Sequence, residues 1–250
     1  MSRKTVIAQV AKVEYNYQDY LSIGKLRKLW WTSKNALIIR PKFPNDNYTV
    51  LFSYPAAELV KTKAVAEGWT VTDLQGNDTN RAKVTQTLNN TPTDFVIHYD
   101  HGSDYTMWGQ KNNQFEGTID NNNVNLLKGK TASTVSCETA VGLGPLAISS
   151  GSKAYLGYDD LHWVYFAWTN EFTQASNAAN YALLEGKTYQ EAFNIGYATY
   201  TQKYQQILNA NDAPAAAAML HNRDHLRLLG DPNAKAIGRH SIFELLQQAP

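Results

Sequence analysis

The chain has 250 residues, 43% of them hydrophobic, which is enough apolar material for one sizeable core. Charged residues make up 18% and the formal net charge is +1, so the clustered basic excess of a nucleic-acid-binding protein is missing. No apolar run approaches the roughly 18 residues of a membrane helix, and a single cysteine, Cys137, leaves no intrachain disulfide to form. The basic start of MSRKTVIAQV leads into an apolar stretch too short and too interrupted for a secretory leader. The expected setting is the cytoplasm, or a domain of a processed precursor.

Residues 1–35 mix alternation with helical spacing and read as an N-terminal extension or edge element; residues 36–250 read as the main domain. NALIIR and YTVLFSY are short runs rich in β-branched and aromatic residues and predict strands. AAELVKTKAVAEG has helical spacing with Gly68 at its C-terminal end. WTVTDL alternates as a strand does, and DTNRAKVTQTLNN predicts a helix with Asp78 and Thr79 as capping candidates. DFVIHY is a strand, followed by HGSDYTMWG and a polar interval over residues 109–130. TASTVSC predicts a buried strand, ETAVGLGPLAISSG a helix, and KAYLGY a third strand of this series. Residues 171–208 predict two helices broken near Gly186, with Thr188 and Glu191 at capping-box spacing. PAAAAMLHNRDHLRLLG is helical or extended, and Gly230-Asp231-Pro232 is a turn.

Strands alternating with helices predict an α/β domain with a largely parallel sheet. Ligands of such sheets collect at the carboxyl ends of the strands. Three groups fall there: His101-Gly102, Cys137, and Tyr158 to Trp163.

His98 and His101 form a close pair, with Asp100, Asp104 and Cys137 conceivable as further ligands, but the spacing matches no zinc motif. Asp212, His221, Asp224 and His225 form a second loose group. Helical spacing puts His221 and His225 on one face, a geometry zinc can use, but no Glu partner lies nearby, and a solvated helix explains them as well. No metal and no cofactor are therefore expected. Cys137 has two readings. It is either a small buried hydrophobe at a strand end or a nucleophile whose proton His101 takes. In the second reading Gly102, lacking a side chain, lets its backbone approach a substrate carbonyl, and the N–H groups of Gly102 and Cys137 form an oxyanion hole.

HYDHGSDYTMWGQ resembles the catalytic-histidine segment of gingipain-like cysteine peptidases, of the caspase–legumain–gingipain clan, in His101-Gly102-Ser103 and Trp108-Gly109. TASTVSCETA resembles that family's strand leading into the nucleophile, KAYLGYDDLHWVY the next strand and the loop whose tryptophan lines the specificity pocket, and LRLLGDP an element near the end of its catalytic domain. The resemblance implies a caspase-like three-layer sandwich, a Cys137–His101 dyad, a polypeptide substrate, and Trp163 in the pocket. Asp159 and Asp160 beside Trp163 suit a Lys or Arg side chain before the cleaved bond. The alternative is a non-catalytic module, with Tyr155, Tyr158, Trp163, Tyr165, Phe166 and Trp168 as a binding surface. The acid that orients the histidine in some relatives is not placed, although Asp94 and Asp100 are near it in sequence.

Overall fold

The computed structural model describes residues 30–241, and the expectation for residues 1–29 lies outside them. The described residues fall into two compact units, 30–33 with 238–241 and 34–237. In the first, β1 (Trp30–Ser33) pairs antiparallel with β11 (Gly238–Ser241).

The second unit runs β2 (Asn35–Arg40), α1 (Tyr54–Ala66), β3 (Thr70–Gln75), α2 (Arg81–Asn90), β4 (Phe95–Tyr99), β5 (Gly102–Ser103), β6 (Thr106–Lys111) and β7 (Gln114–Asp120). It continues with β8 (Thr131–Val135), α3 (Leu143–Ser149), β9 (Ala154–Tyr158), α4 (Thr169–Leu184), α5 (Tyr189–Asn209), α6 (Ala213–Asp224) and β10 (Leu226–Gly230). Six strands form one sheet in the order β10-β9-β8-β4-β2-β3, parallel throughout except for β10. In β2, Ala36 and Ile38 join a core shared with residues of α1, α4, α5 and α6, while Leu37 and Ile39 join one shared with α2 and α3. A strand covered on both faces is apolar over most of its length, as NALIIR and FVIHY are, and the buried exceptions Arg40 and His98 are hydrogen-bonded to Asp73 and to Trp108 O. Among the described residues no helix is long and apolar enough to cross a membrane.

The strand expected over residues 48–54 is instead helical: a π turn, Thr49–Ser53, runs directly into α1. Thr49, Phe52 and Ser53 are buried while Val50 and Leu51 are exposed, a helical spacing that the β-branched and aromatic content of the run conceals. The cap of α2 is Asn80, whose side chain accepts from Lys83 N, rather than Asp78 or Thr79. The capping box of Thr188 and Glu191 is present as its spacing predicts.

The polar interval holds the β6-β7 hairpin, which turns at Asn112 and Asn113 with φ of 52° and 60°. Its Trp108-Gly109 step docks it on the rest of the unit. The buried ring of His98 bonds through Nε2 to Trp108 O at 2.8 Å, and Gln110 N donates to Thr79 Oγ1 at 2.8 Å. A Cβ at position 109 would lie 2.1 Å from Thr79 O, a backbone atom that cannot swing aside. Gly109→Ala is therefore expected to cost about 2 kcal/mol or more in urea unfolding; a change within experimental error would contradict this account of the docking.

Candidate active site

The pairing of β4 with β8 sets the site. Tyr99 and Val135 are registered partners at the carboxyl ends of these strands. His101 and Cys137 each follow their strand by the same offset, so one register delivers both to the same rim. β9 lies on the other side of β8 and delivers the segment Asp159 to Trp163, while β2 lies beside β4 and delivers Asp46.

Asp46 is the principal partner that the sequence does not reveal. His101 Nε2 lies 2.5 Å from Asp46 Oδ2, which also accepts from Thr49 Oγ1 at 2.8 Å, while Oδ1 accepts from Tyr48 N at 3.0 Å. Burial opposes ionisation of Asp46, but the hydrogen bonds from His101 and Thr49 outweigh it and hold its pKa below the ordinary value. With Nε2–H committed to Asp46, Nδ1 is the His101 nitrogen left for proton transfer. Asp100 sits beneath this pair, fully buried, with Oδ1 3.6 Å from His101 Nε2 and φ at 144°. Burial raises its pKa to about 7. A neutral Asp100 can donate to Thr49 Oγ1, 3.1 Å away, and leave the threonine hydrogen for Asp46. Asp94, the other acid considered from the sequence, is at the far end of β4, where it accepts from Asn35 N and Nδ2. His98 is a core residue whose pKa burial lowers to about 4.

Cys137 is half-buried, and burial raises its pKa. The loop that carries it is stitched to the loop after β9: Glu138 N donates to Asp160 O at 3.1 Å, and His162 N donates to Cys137 Sγ at 3.3 Å. Glu138 adopts φ of 60°, a left-handed turn immediately after the cysteine. Gly102 packs against this loop so closely that a Cβ would meet Cys137 O at 2.4 Å and Thr139 Cγ2 at 2.7 Å. The glycine is thus required by contact with the cysteine loop itself. Among the described residues no hydrogen bond joins His101 to Cys137; their segments meet through Gly102.

His162 was not singled out by the sequence. Its ring is buried, with Nδ1 3.2 Å from Tyr48 Oη and Nε2 3.1 Å from Ser176 Oγ. Burial lowers its pKa to about 3, so the ring is neutral and its part in the site is to fix the backbone N–H on the thiol. An open cleft of about 450 Å³ lies over His101 and Gly102, walled by Trp108 and Phe115.

Trp163 is 48% exposed, and its backbone is clamped by Asn222, which accepts from Trp163 N at 2.8 Å and donates to Trp163 O at 2.7 Å. Asp159 is already engaged by Arg227 Nε at 2.6 Å and by His225 Nδ1 at 2.8 Å. Among the described residues, the Asp160 carboxylate accepts a hydrogen bond only from its neighbour Leu161 N. Of the six aromatics considered as a surface, Tyr155 and Tyr158 are core residues, whereas Trp163, Tyr165 and Phe166 are exposed.

Solved structures share this architecture. The Arg-specific cysteine proteinase gingipain R (RgpB) superposes with a TM-score of 0.59 at 14% identity, over 80% of this chain and 47% of that one. The fold is caspase-like. A complex of the Porphyromonas gingivalis RgpB pro- and mature domains superposes with a TM-score of 0.53 at 12% identity, over 81% of this chain and 48% of that one. The chain therefore spans about half the length of these gingipain chains. No family model matches the chain, and no curated protein matches it by sequence.

The buried Asp100 gives the site a pH signature. An unfolded aspartate titrates near 3.9; because folding raises Asp100 to about 7, its contribution is full at low pH and is lost as pH rises through about 7. Asp100→Asn, neutral at every pH, is expected to match the parent near pH 4 and to exceed its stability by up to about 4 kcal/mol near pH 8. Urea titrations across that range measure the difference, and a difference that does not change with pH would contradict a buried neutral acid.

Proposed function

We propose that the protein is a cysteine endopeptidase. The observation that carries this reading is the registered delivery of His101-Gly102 against Cys137, within a fold whose solved neighbours are cysteine proteinases. Because burial keeps the resting thiol protonated, His101 Nδ1 takes its proton as Sγ attacks the scissile carbonyl carbon. Asp46 holds the ring by Nε2 and stabilises the imidazolium that forms. The N–H groups of Gly102 and Cys137 receive the oxyanion, an interaction whose loss costs about 3 kcal/mol in comparable sites. The tetrahedral intermediate collapses as His101 returns its proton to the leaving amine. His101 then activates a water, which attacks the thioester, frees the new carboxyl group and restores the thiol.

Trp163, exposed beside the loop, receives the side chain preceding the cleaved bond. Asp160 is the acid that would favour Lys or Arg there. Asp159 is less suited than its sequence position suggests, because Arg227 and His225 already take up its charge.

Cys137→Ala and His101→Ala are each expected to lower kcat/KM on fluorogenic peptides by at least about 1,000-fold while leaving the protein folded. Asp46→Asn is expected to give a smaller loss, mainly in kcat. Full activity in both alanine variants would sink the assignment. In a substrate panel varied only at the residue before the cleaved bond, Lys and Arg are expected to lead; preference for an acidic or apolar residue would exclude the Asp160 pocket.

A further inference from the structure

The two histidines on the last helix, left without a third ligand by the sequence, acquire one in the fold. His221, in the last turn of α6, and His225, just beyond it, lie with ring centroids 4.3 Å apart and their planes tilted by 36°. The loop after β9 brings Asp160 to them, and one ligand atom from each of the three lies within 4.8 Å of the others. His225 Nε2 and Asp160 Oδ2 are 3.7 Å apart, beyond a hydrogen bond but near the separation of about 3.4 Å between two ligands of one tetrahedral zinc ion.

Both rings are held in ways that prepare a nitrogen for a metal. His225 Nδ1 donates to Asp159 Oδ1 at 2.8 Å, and Arg227 Nε fixes the other oxygen of that carboxylate at 2.6 Å. This leaves the Nε2 lone pair of a neutral His225 facing Asp160. His221 Nε2 donates to Leu161 O at 3.0 Å, leaving the Nδ1 lone pair. A metal-ligating histidine typically donates its other N–H to a carboxylate or a carbonyl, and here one ring has each. His225 and Asp160 are 31% and 44% exposed, so an ion has a path from solvent. The other acid–histidine group of the unit, Asp46, Asp100 and His101, is instead closed on itself by the short His101–Asp46 bond.

We propose that Asp160, His221 and His225 bind a first-row divalent transition ion of the zinc type, with two imidazoles and one carboxylate as protein ligands and a position left for water. The ion ties the loop carrying His162 and Trp163 to the end of α6, and it competes with a substrate's basic side chain for the Asp160 carboxylate, so that the two occupancies exclude each other. The binding does not rest on the peptidase reading, and neither does its test.

The test is calorimetric titration of the full chain with Zn²⁺, together with the absorption spectrum of the Co²⁺ form. One ion is expected to bind, with an affinity that falls at least about tenfold in His225→Gln and again in Asp160→Asn, a variant that preserves side-chain shape. Cys137→Ala is expected to bind as the parent does, and the Co²⁺ spectrum to lack a thiolate-to-metal charge-transfer band. The absence of binding, affinity unchanged in both ligand variants, or a thiolate band that disappears with Cys137 would each overturn the site.

Discussion

The pairing of β4 with β8 is the constraint on which the rest of the structure depends. Both strands are buried along their whole length, so a slip by one residue would turn every side chain to the wrong face. The register is therefore fixed by the two cores, and with it the relative position of His101 and Cys137. Gly102 makes the join between their segments: nothing larger fits against the carbonyl of Cys137. The apolar run before His101 thus holds its imidazole at the sheet's edge, with a precision that loops alone do not provide.

Around that join the polar groups divide the work. Asp46 and Asp100 are near neighbours with opposite fates. Asp46 gains a histidine and a threonine and is held below the ordinary aspartate pKa, while burial drives Asp100 towards its neutral form. Environments that push two like groups apart are characteristic of functional sites. His162 contributes differently, through a ring locked by Tyr48 and Ser176 that aims its backbone N–H at the thiol. Tyr48 links the two histidines, with its ring 5.2 Å from that of His101 and its hydroxyl on His162.

Most of the parallel sheet was legible, because NALIIR, FVIHY and AYLGY are apolar over most of their length, as burial on both faces requires, and TASTV is short and rich in β-branched residues. The strand-end rule then placed His101, Cys137 and Trp163 on one rim without reference to coordinates. Asp46 escaped because YTVLFSY was assigned by β-branched and aromatic content rather than by spacing. Read as a helix, it would have left Asp46 in the loop directly after a central strand, where the same rule points. His162 escaped because its contribution is a backbone N–H, to which the sequence gives no clue. The proximity of Asp160 to His221 and His225 escaped because Asp160 comes from the loop after β9, about 60 residues before the end of α6.

The central claim is that His101 and Cys137 act as one unit although no hydrogen bond joins them at rest. The most direct measurement is the rate of Cys137 alkylation by iodoacetamide as a function of pH, mapped by mass spectrometry, in the parent and in His101→Ala. Since burial raises the thiol pKa, reactivity near neutral pH requires the histidine. The account predicts that labelling near pH 7 is readily measured in the parent and falls at least about tenfold in the variant. Superimposable pH profiles, or a thiol inert in both, would contradict it.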